Sequence, residues 1–104
     1  MLYMIHGVDG PDADRIRAEN RETHFAYLNS HEDILVLGGA TLADESDART
    51  GSLLVINVPS RADADAFANG EPFHKAGLFV ERTVSRMRRG QWNPAAAPGT
   101  PEGN

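Results

Sequence analysis

The rest of this chain is arranged around one short stretch, Glu71-Pro72-Phe73-His74-Lys75-Ala76-Gly77-Leu78. Pro72 suits the first position of a helical turn, where its missing N–H is not needed, and Glu71 can accept hydrogen bonds from that turn. Gly77 can adopt the left-handed conformation that ends a short helix. The stretch therefore predicts a single helical turn that carries a carboxylate, an aromatic ring and a histidine to the start of a strand. A plain helix-to-strand connector is the competing interpretation.

Outward from this turn, the hydrophobic pattern predicts four strands and two longer helices. We expect strands over residues 2–8, 34–40, 52–58 and 78–88, and helices over 12–30 and 61–69. The nearly continuous apolar run of the second strand suggests burial on both of its faces, and an exposed loop is predicted to follow it over residues 43–51. The order strand–helix–strand, strand–helix–strand predicts an α+β fold of the ferredoxin-like βαββαβ type, with a four-stranded antiparallel sheet.

The first helix places a histidine among apolar side chains. At about 100° per residue, one broad arc of this helix collects the aromatic and aliphatic side chains together with His24. The members of this arc are Ile16, Asn20, Thr23, His24, Phe25, Tyr27 and Leu28. Because imidazole titrates near neutral pH, His24 is the leading candidate for a catalytic acid or base. A core histidine that is hydrogen-bonded to the backbone is the alternative.

Composition limits the class of protein. The chain has 104 residues, which suits one domain, and its net charge of −5 argues against general binding to nucleic acid or to an anionic membrane. It has no cysteine, and no apolar run approaches the ~20 residues of a transmembrane helix. The first residues lack the basic leader of a signal peptide. We therefore expect a cytoplasmic protein.

The end of the chain differs in composition from the rest. From Gln91 onward it holds three of the six prolines and one large apolar residue, Trp92. Such a segment buries too little to offset its ordering entropy. The expected organisation is a folded domain over residues 1–92 and a disordered tail over residues 93–104.

Two segments together resemble motifs of the YciI-like, or YCII-related, family. Residues 21–28, Arg-Glu-Thr-His-Phe-Ala-Tyr-Leu, resemble its R-x-x-H-L-x-x-L helix, and residues 71–79 resemble its D-P-F-x-x-A-G-L motif. The resemblance covers residues 1–92 and implies a ferredoxin-like domain that dimerises through its sheets as a dimeric α/β barrel. It also implies a cleft in which a histidine pairs with a carboxylate. One branch of the family is associated with dehydrochlorination of a chlorinated hydroxyquinol.

Three departures from the family pattern bear on the site. The aspartate of the second motif is Glu71 here, and the Gly-Pro that commonly follows the second strand is Gly39-Ala40. The linker between the first helix and the second strand, residues 31–33, is also shortened, and some relatives use an acidic residue there. Asp33 is the candidate for that residue and a second candidate for the carboxylate that pairs with His24.

The candidate catalytic residues are His24 and Glu71, with Glu71 orienting the imidazole. The candidate substrate-binding residues are Arg21, one helical turn before His24, together with His6 and Phe73. Each has a structural alternative. Glu71 could be only a helix cap, Arg21 could form a surface salt bridge, His6 could face solvent, and Phe73 could be a core residue.

No metal or other cofactor is expected. The four histidines do not form a His-x-x-x-His pair, and Gly38-Gly39 lacks the lysine of a phosphate-binding loop. The predicted function is a cofactor-free lyase or isomerase that acts on a small cyclic or aromatic polar metabolite through a His–carboxylate pair. Dehydrochlorination would be a special case. The alternative is a non-catalytic small-molecule-binding or accessory module that uses the same cleft. The expected macromolecular partner is a second copy of the chain.

Overall fold

The four strands form one antiparallel sheet in the order β2-β3-β1-β4, as seen in a computed structural model that describes residues 1–103. The elements are β1 (Leu2–Asp9), α1 (Ala13–Ser30), β2 (Leu35–Leu42), β3 (Arg49–Asn57), α2 (Arg61–Gly70), α3 (Pro72–Lys75) and β4 (Phe79–Met87). A short 3-10 turn, Pro94–Ala96, lies beyond the sheet. This order is that of the ferredoxin-like fold, so the predicted α+β class is confirmed.

Alternation along the two central strands places one set of side chains against the helices. Ile5 of β1 lies opposite Leu54 of β3 and Val84 of β4, and all three side chains share the face that the helices cover. The buried residues of this core are Tyr3, Ile5, Leu54, Ile56, Val58, Ala64, Phe67 and Ala68. A second, smaller cluster of Ile16, Phe73 and Leu78 joins α1 to α3. Burial of this apolar surface is the main stabilising contribution to the domain.

The predicted helical turn over residues 71–78 is present. Pro72 occupies its first position, and the carboxylate of Glu71 caps it by accepting a hydrogen bond from the His74 N–H at 3.1 Å. Gly77 adopts a φ of +80°, and the Leu78 N–H then donates to the Phe73 carbonyl at 3.0 Å. This left-handed residue ends the helix and turns the chain into β4.

The expectation that the strand over residues 34–40 is buried on both faces is wrong for the single chain. β2 is an edge strand whose only neighbour is β3, and most of its residues are exposed. Leu37, for example, is 54% exposed. β2 pairs with a neighbour on one side only, so an apolar run alone did not distinguish a central strand from an exposed one.

Two smaller expectations also need correction. β3 begins at Arg49 rather than at residue 52, because the β2–β3 hairpin pairs further towards its tip than the acidic composition suggested. Phe25 was placed on the inward arc of α1, but its side chain is 48% exposed. The first helix itself runs almost as predicted, over Ala13–Ser30.

The face of the sheet opposite the helices is partly apolar. Val55 of β3 lies between Met4 of β1 and Leu37 of β2, and His6 is paired with Leu53 on the same face.

No helix in residues 1–103 is both long and apolar enough to cross a membrane. The last residue of the predicted tail over residues 93–104, Asn104, lies outside the residues that the structure describes. The described part of the tail is almost wholly exposed, and the disorder of the tail stays a prediction.

Candidate functional site

A cavity of about 330 Å³ lies between α1 and the β2–β3 hairpin. Its lining combines charged and apolar side chains with Gly38 and Gly39 of β2. The lining residues are Asp14, Arg17, Ala18, Arg21, His24, Phe25, Leu28, Gly38, Gly39, Ala40, Arg49, Ser52, Leu54 and Phe73. Its volume is at the lower end of the range for small-molecule sites, which suits a ligand of about one ring.

His24 projects from α1 into this cavity and is held by a residue 47 positions away. Its Nδ1 lies within hydrogen-bond distance of the Glu71 Oε1, while the other oxygen of that carboxylate accepts the His74 N–H. Glu71 therefore acts as the helix cap and as the partner of His24 at once, and the two interpretations of its role are compatible. Glu71 is only 5% exposed. Its two oxygens are thus fixed by two donors in a largely water-free place.

The other ring nitrogen of His24, Nε2, has no protein partner within residues 1–103. No side-chain nitrogen or oxygen in that part of the chain is both fully buried and unbonded, so Nε2 is accessible to solvent. An ionised carboxylate only accepts hydrogen bonds, so next to an ionised Glu71 the proton of the neutral imidazole is on Nδ1. Nε2 then carries the free lone pair. This arrangement can take a proton from a bound molecule or return one to it.

Phe73 and Arg17 form the wall beside His24. The Phe73 ring stacks on the imidazole, and the Arg17 guanidinium lies 5.2 Å from the centroid of the same ring. Arg17 also donates two hydrogen bonds to Asp9, each of 3.0 Å, and one to the carbonyl of Gly51. The Nε and Nη2 of Arg17 are therefore held by protein partners, although the side chain lines the cavity.

Arg21 and Arg49 also line the cavity. Arg21 lies over the ring of Phe25, with 5.5 Å between its guanidinium carbon and the ring centroid. Arg49 reaches the cavity from the start of β3. Within the described part of the chain, neither arginine forms an ion pair with a carboxylate. The surface salt bridge considered for Arg21 is therefore absent there.

His6 and Asp33 do not reach this cavity. His6 faces the opposite side of the sheet, because Ile5 and Gly7 on either side of it face the helices. Asp33 is exposed in the turn between α1 and β2, so Glu71 is the carboxylate that contacts His24. No three metal-ligating side chains of the His, Cys, Asp and Glu types gather anywhere in residues 1–103.

Sequence reasoning missed Arg17, Arg49 and Ser52 as lining residues. Arg49 and Ser52 were assigned to the loop and to the first residue of a strand, and only the register of the hairpin brings them to the cavity. One signal was available. A glycine inside a strand often marks a place where a ligand or another backbone approaches closely, and both Gly38 and Gly39 line the cavity.

Two groups near Glu71 have shifted pKa values. Burial raises the pKa of Tyr27 above its usual 10.0, and the negative charge of Glu71 adds to that rise. Burial lowers the pKa of His74 below 6.5, the positive charge of Arg82 lowers it further, and Glu71 opposes both effects. Tyr27 is therefore kept as a neutral phenol that donates to the carbonyl of Phe67 at 2.8 Å.

Comparisons with known proteins agree on the fold. A sequence model described as the YCII-related domain matches residues 1–88. The chain is 28% identical to Protein YciI of Escherichia coli over 96 residues, which is 86% of this chain and 98% of that protein. Protein YciI of Shigella flexneri matches at the same identity and coverage.

Among solved structures, the chain resembles a 5-chloro-2-hydroxyhydroquinone dehydrochlorinase, TftG, from Burkholderia phenoliruptrix, in complex with 2,5-dihydroxybenzoquinone. The TM-score is 0.78 with 33% identity, covering 85% of this chain and 94% of TftG. An antibiotic biosynthesis monooxygenase shares the fold at a TM-score of 0.50 and 18% identity, covering 85% of this chain and 97% of that one.

Proposed function

The chain belongs to the YCII-related, YciI-like family, and from that premise we propose that it is a cofactor-free lyase acting on a small cyclic polar molecule. His24 would be the general acid/base and Glu71 the group that orients it. The observation that carries this proposal is the contact between His24 Nδ1 and Glu71 at the wall of a cavity, with Nε2 left open. A carboxylate that fixes the tautomer of an imidazole is a recurring arrangement in acid–base catalysis.

The proposed reaction is an elimination. In the keto tautomer of the ring, the carbon that carries the leaving group is tetrahedral. Nε2 of His24 takes a proton from a hydroxyl of this tautomer, the electron pair of the O–H bond forms a C=O bond, the adjacent ring double bond shifts, and the leaving group departs with its own bonding pair. Where the leaving group is chloride, the net change is loss of HCl, and no electrons are exchanged with another reactant. The imidazolium formed on His24 is stabilised by Glu71, and it then releases its proton to solvent through the open rim.

The choice of a hydroxylated ring as substrate has two supports. The cavity places Phe73, Phe25 and Leu54 around a volume that accommodates about one ring. TftG, at 33% identity, is a dehydrochlorinase of a chlorinated hydroxyhydroquinone and was solved with a dihydroxybenzoquinone bound. We therefore propose chlorinated or otherwise substituted hydroxyhydroquinones as the first substrates to test.

The test is chloride release from 5-chloro-2-hydroxyhydroquinone, the compound in the name of TftG. We expect turnover by the wild type, a loss of at least about a hundredfold in kcat for His24→Ala, and a smaller loss for Glu71→Gln. Glu22→Gln is the matched control, because Glu22 is an exposed acid on the outer face of α1. It should have the kcat of the wild type.

Two outcomes would contradict the proposal. Turnover that survives His24→Ala would remove the acid/base assignment. If neither this compound nor a panel of related ring substrates is turned over, while one of them still raises the melting temperature, the protein is instead a binding or accessory module.

A further inference from the structure

The charge of the cavity is opposite to that of the chain. The whole protein carries a net charge of −5, with ten lysines and arginines against fifteen acids. Among the described residues, in contrast, the cavity is lined by three arginines, of which Arg17 is paired with Asp9, and by one carboxylate, that of Asp14. A cleft of one sign in a protein of the opposite sign concentrates ligands of the complementary charge, because low-dielectric walls focus its field.

The three arginines differ in their partners within residues 1–103. The guanidinium of Arg17 is bound by both oxygens of Asp9 and by the carbonyl of Gly51. Arg21 and Arg49 reach the cavity from α1 and from β3, and within residues 1–103 neither has a carboxylate partner. Two guanidinium groups that have no carboxylate partner, belong to different elements and line one small cavity are candidate donors to one anionic group.

The geometry points to a specific class of ligand. We infer that the cavity binds a planar cyclic anion, a ring that carries a carboxylate or an ionised hydroxyl, with its charge held by Arg21 and Arg49. This inference rests on the proposed function for the identity of the site, and it adds the charge of the substrate. The apolar walls formed by Phe73, Leu28 and Leu54 contact the ring, and the charged oxygens lie at the rim.

The contact between Arg21 and Phe25 supports the assignment of the ligand's charged group to Arg21. Its guanidinium already lies on the Phe25 ring, so its planar group is partly held in place before a ligand arrives. A guanidinium with a restricted orientation loses less entropy when it forms a bidentate contact with a carboxylate or an enolate. The side chain of Phe25, which is exposed on α1, thereby acquires a role that core packing does not explain.

The experiment measures binding without turnover, using hydroquinone and gentisate as a matched pair of ligands. Gentisate is hydroquinone with one added carboxylate, so the difference in their affinities reports the anion subsite. Catechol and a nitrocatechol that is ionised at neutral pH form a second pair, in which the anionic oxygen belongs to a ring hydroxyl. Isothermal titration is performed on the full chain at low and at high salt.

We expect wild type to bind at least one anionic ligand of these pairs about tenfold or more tightly than its neutral counterpart, and this preference to shrink in high salt. Arg21→Gln and Arg49→Gln should each remove most of the preference, and the corresponding lysine variants should restore part of it. Arg15→Gln is the control, because Arg15 lies on the same helix in an exposed pair with Glu19 and outside the cavity. Melting temperatures establish that each variant is folded.

The binding measurements and the elimination assay together distinguish failure of the anion subsite from failure of the proposed function. A wild type that shows no preference for either anion overturns it, as do glutamine variants that keep the preference. If the elimination assay succeeds while the glutamine variants bind like wild type, the proposed function stands and the anion subsite falls. If turnover is absent while binding is charge-selective through Arg21 and Arg49, the subsite stands and the lyase proposal falls.

Discussion

The imidazole of His24 lies face to face on the ring of Phe73, with 3.8 Å between centroids and 13° between planes. Phe73 follows Glu71 by two residues, so one helical turn supplies both the hydrogen-bond partner of His24 and the surface on which its ring rests. The carboxylate fixes the ring at one nitrogen, and the stacking fixes the plane of the ring. Together they leave the imidazole little rotational freedom.

Phe73→Leu should lower kcat roughly tenfold with a smaller effect on KM, because the imidazole loses the surface that fixes its plane. The buried ring is 4% exposed, so the same change should cost about 1–2 kcal/mol in the free energy of unfolding. Phe67→Leu is the control, because Phe67 is equally buried but lies outside the cavity. It should cost similar stability and leave kcat unchanged. Equal kcat losses in the two variants would exclude a positioning role for Phe73.

Arg17→Met should destabilise the protein by about 2–4 kcal/mol in urea unfolding, because it leaves the carboxylate of Asp9 without its partner. The two side chains are 14% and 7% exposed, so water cannot fully replace the lost interaction. The double variant Arg17→Met with Asp9→Leu should recover a large part of this loss, since it removes the uncompensated charge.

The exposed ion pair between Arg61 and Asp65 is the comparison for this measurement. Arg61→Met should change the free energy of unfolding by less than about 1 kcal/mol. If Arg17→Met costs no more than Arg61→Met, the pair between Arg17 of α1 and Asp9 of β1 does not stabilise the fold.

Alkaline stability should depend on Tyr27. Its pKa is raised in the fold, so the native state keeps a proton that the unfolded chain has already released. The corresponding stability is complete below about pH 10 and is lost as the pH rises through the native pKa. Tyr27→Phe should therefore make the free energy of unfolding less sensitive to pH in that alkaline window. It should also cost about 1 kcal/mol at neutral pH, because the hydrogen bond to the Phe67 carbonyl is lost.

The second cause of this shift gives an independent check. Glu71→Gln should move the pKa of Tyr27 part of the way back towards its usual value, because the negative charge of Glu71 contributes to the rise. Tyrosinate absorbance, with Tyr27→Phe to assign the signal, measures this directly. An unchanged Tyr27 titration in Glu71→Gln would show that Glu71 does not act on the phenol.

We predict a homodimer formed through the open face of the sheet. Leu37 is 54% exposed and is paired there with Val55, and such an apolar face gains stability when a second copy covers it. Light scattering at micromolar concentration should give twice the chain mass, and Leu37→Asp should shift it towards the monomer. Ala26→Asp, on the exposed side of α1, should not. A monomeric wild type would contradict the prediction.

Deletion of residues 93–104 should leave the melting temperature and the dimer unchanged. In the described part of this tail, a single 3-10 turn at Pro94–Ala96 makes up the regular structure, and nearly all residues are exposed. A drop of several degrees in the melting temperature would mean instead that the tail packs against the domain.

The sequence by itself determined the local structure of this protein. The turn over residues 71–78 follows from the fixed φ of Pro72 and the permissive φ of Gly77, and these restrictions act within a few residues. The start of α2 is local in the same sense, because the Ser60 side chain accepts a hydrogen bond from the Asp63 N–H three residues later, and so is the extent of α1. The order of strands and helices then allowed only a few topologies, of which the ferredoxin-like one is observed.

The tertiary structure alone decided which residues share the cavity. Whether an apolar strand lies at the centre or the edge of a sheet, and whether His6 or Arg49 lies near His24, depends on strand order, register and the position of the helices. Strand order, register and helix position are set by packing between residues that are far apart in the sequence. Backbone propensity and hydrophobic periodicity describe only neighbouring residues, so they do not predict this packing. Glu71 illustrates the difference between local and tertiary determinants. Its capping of α3 follows from the neighbouring residues in the sequence, whereas its contact with His24 exists only because α1 and α3 pack together.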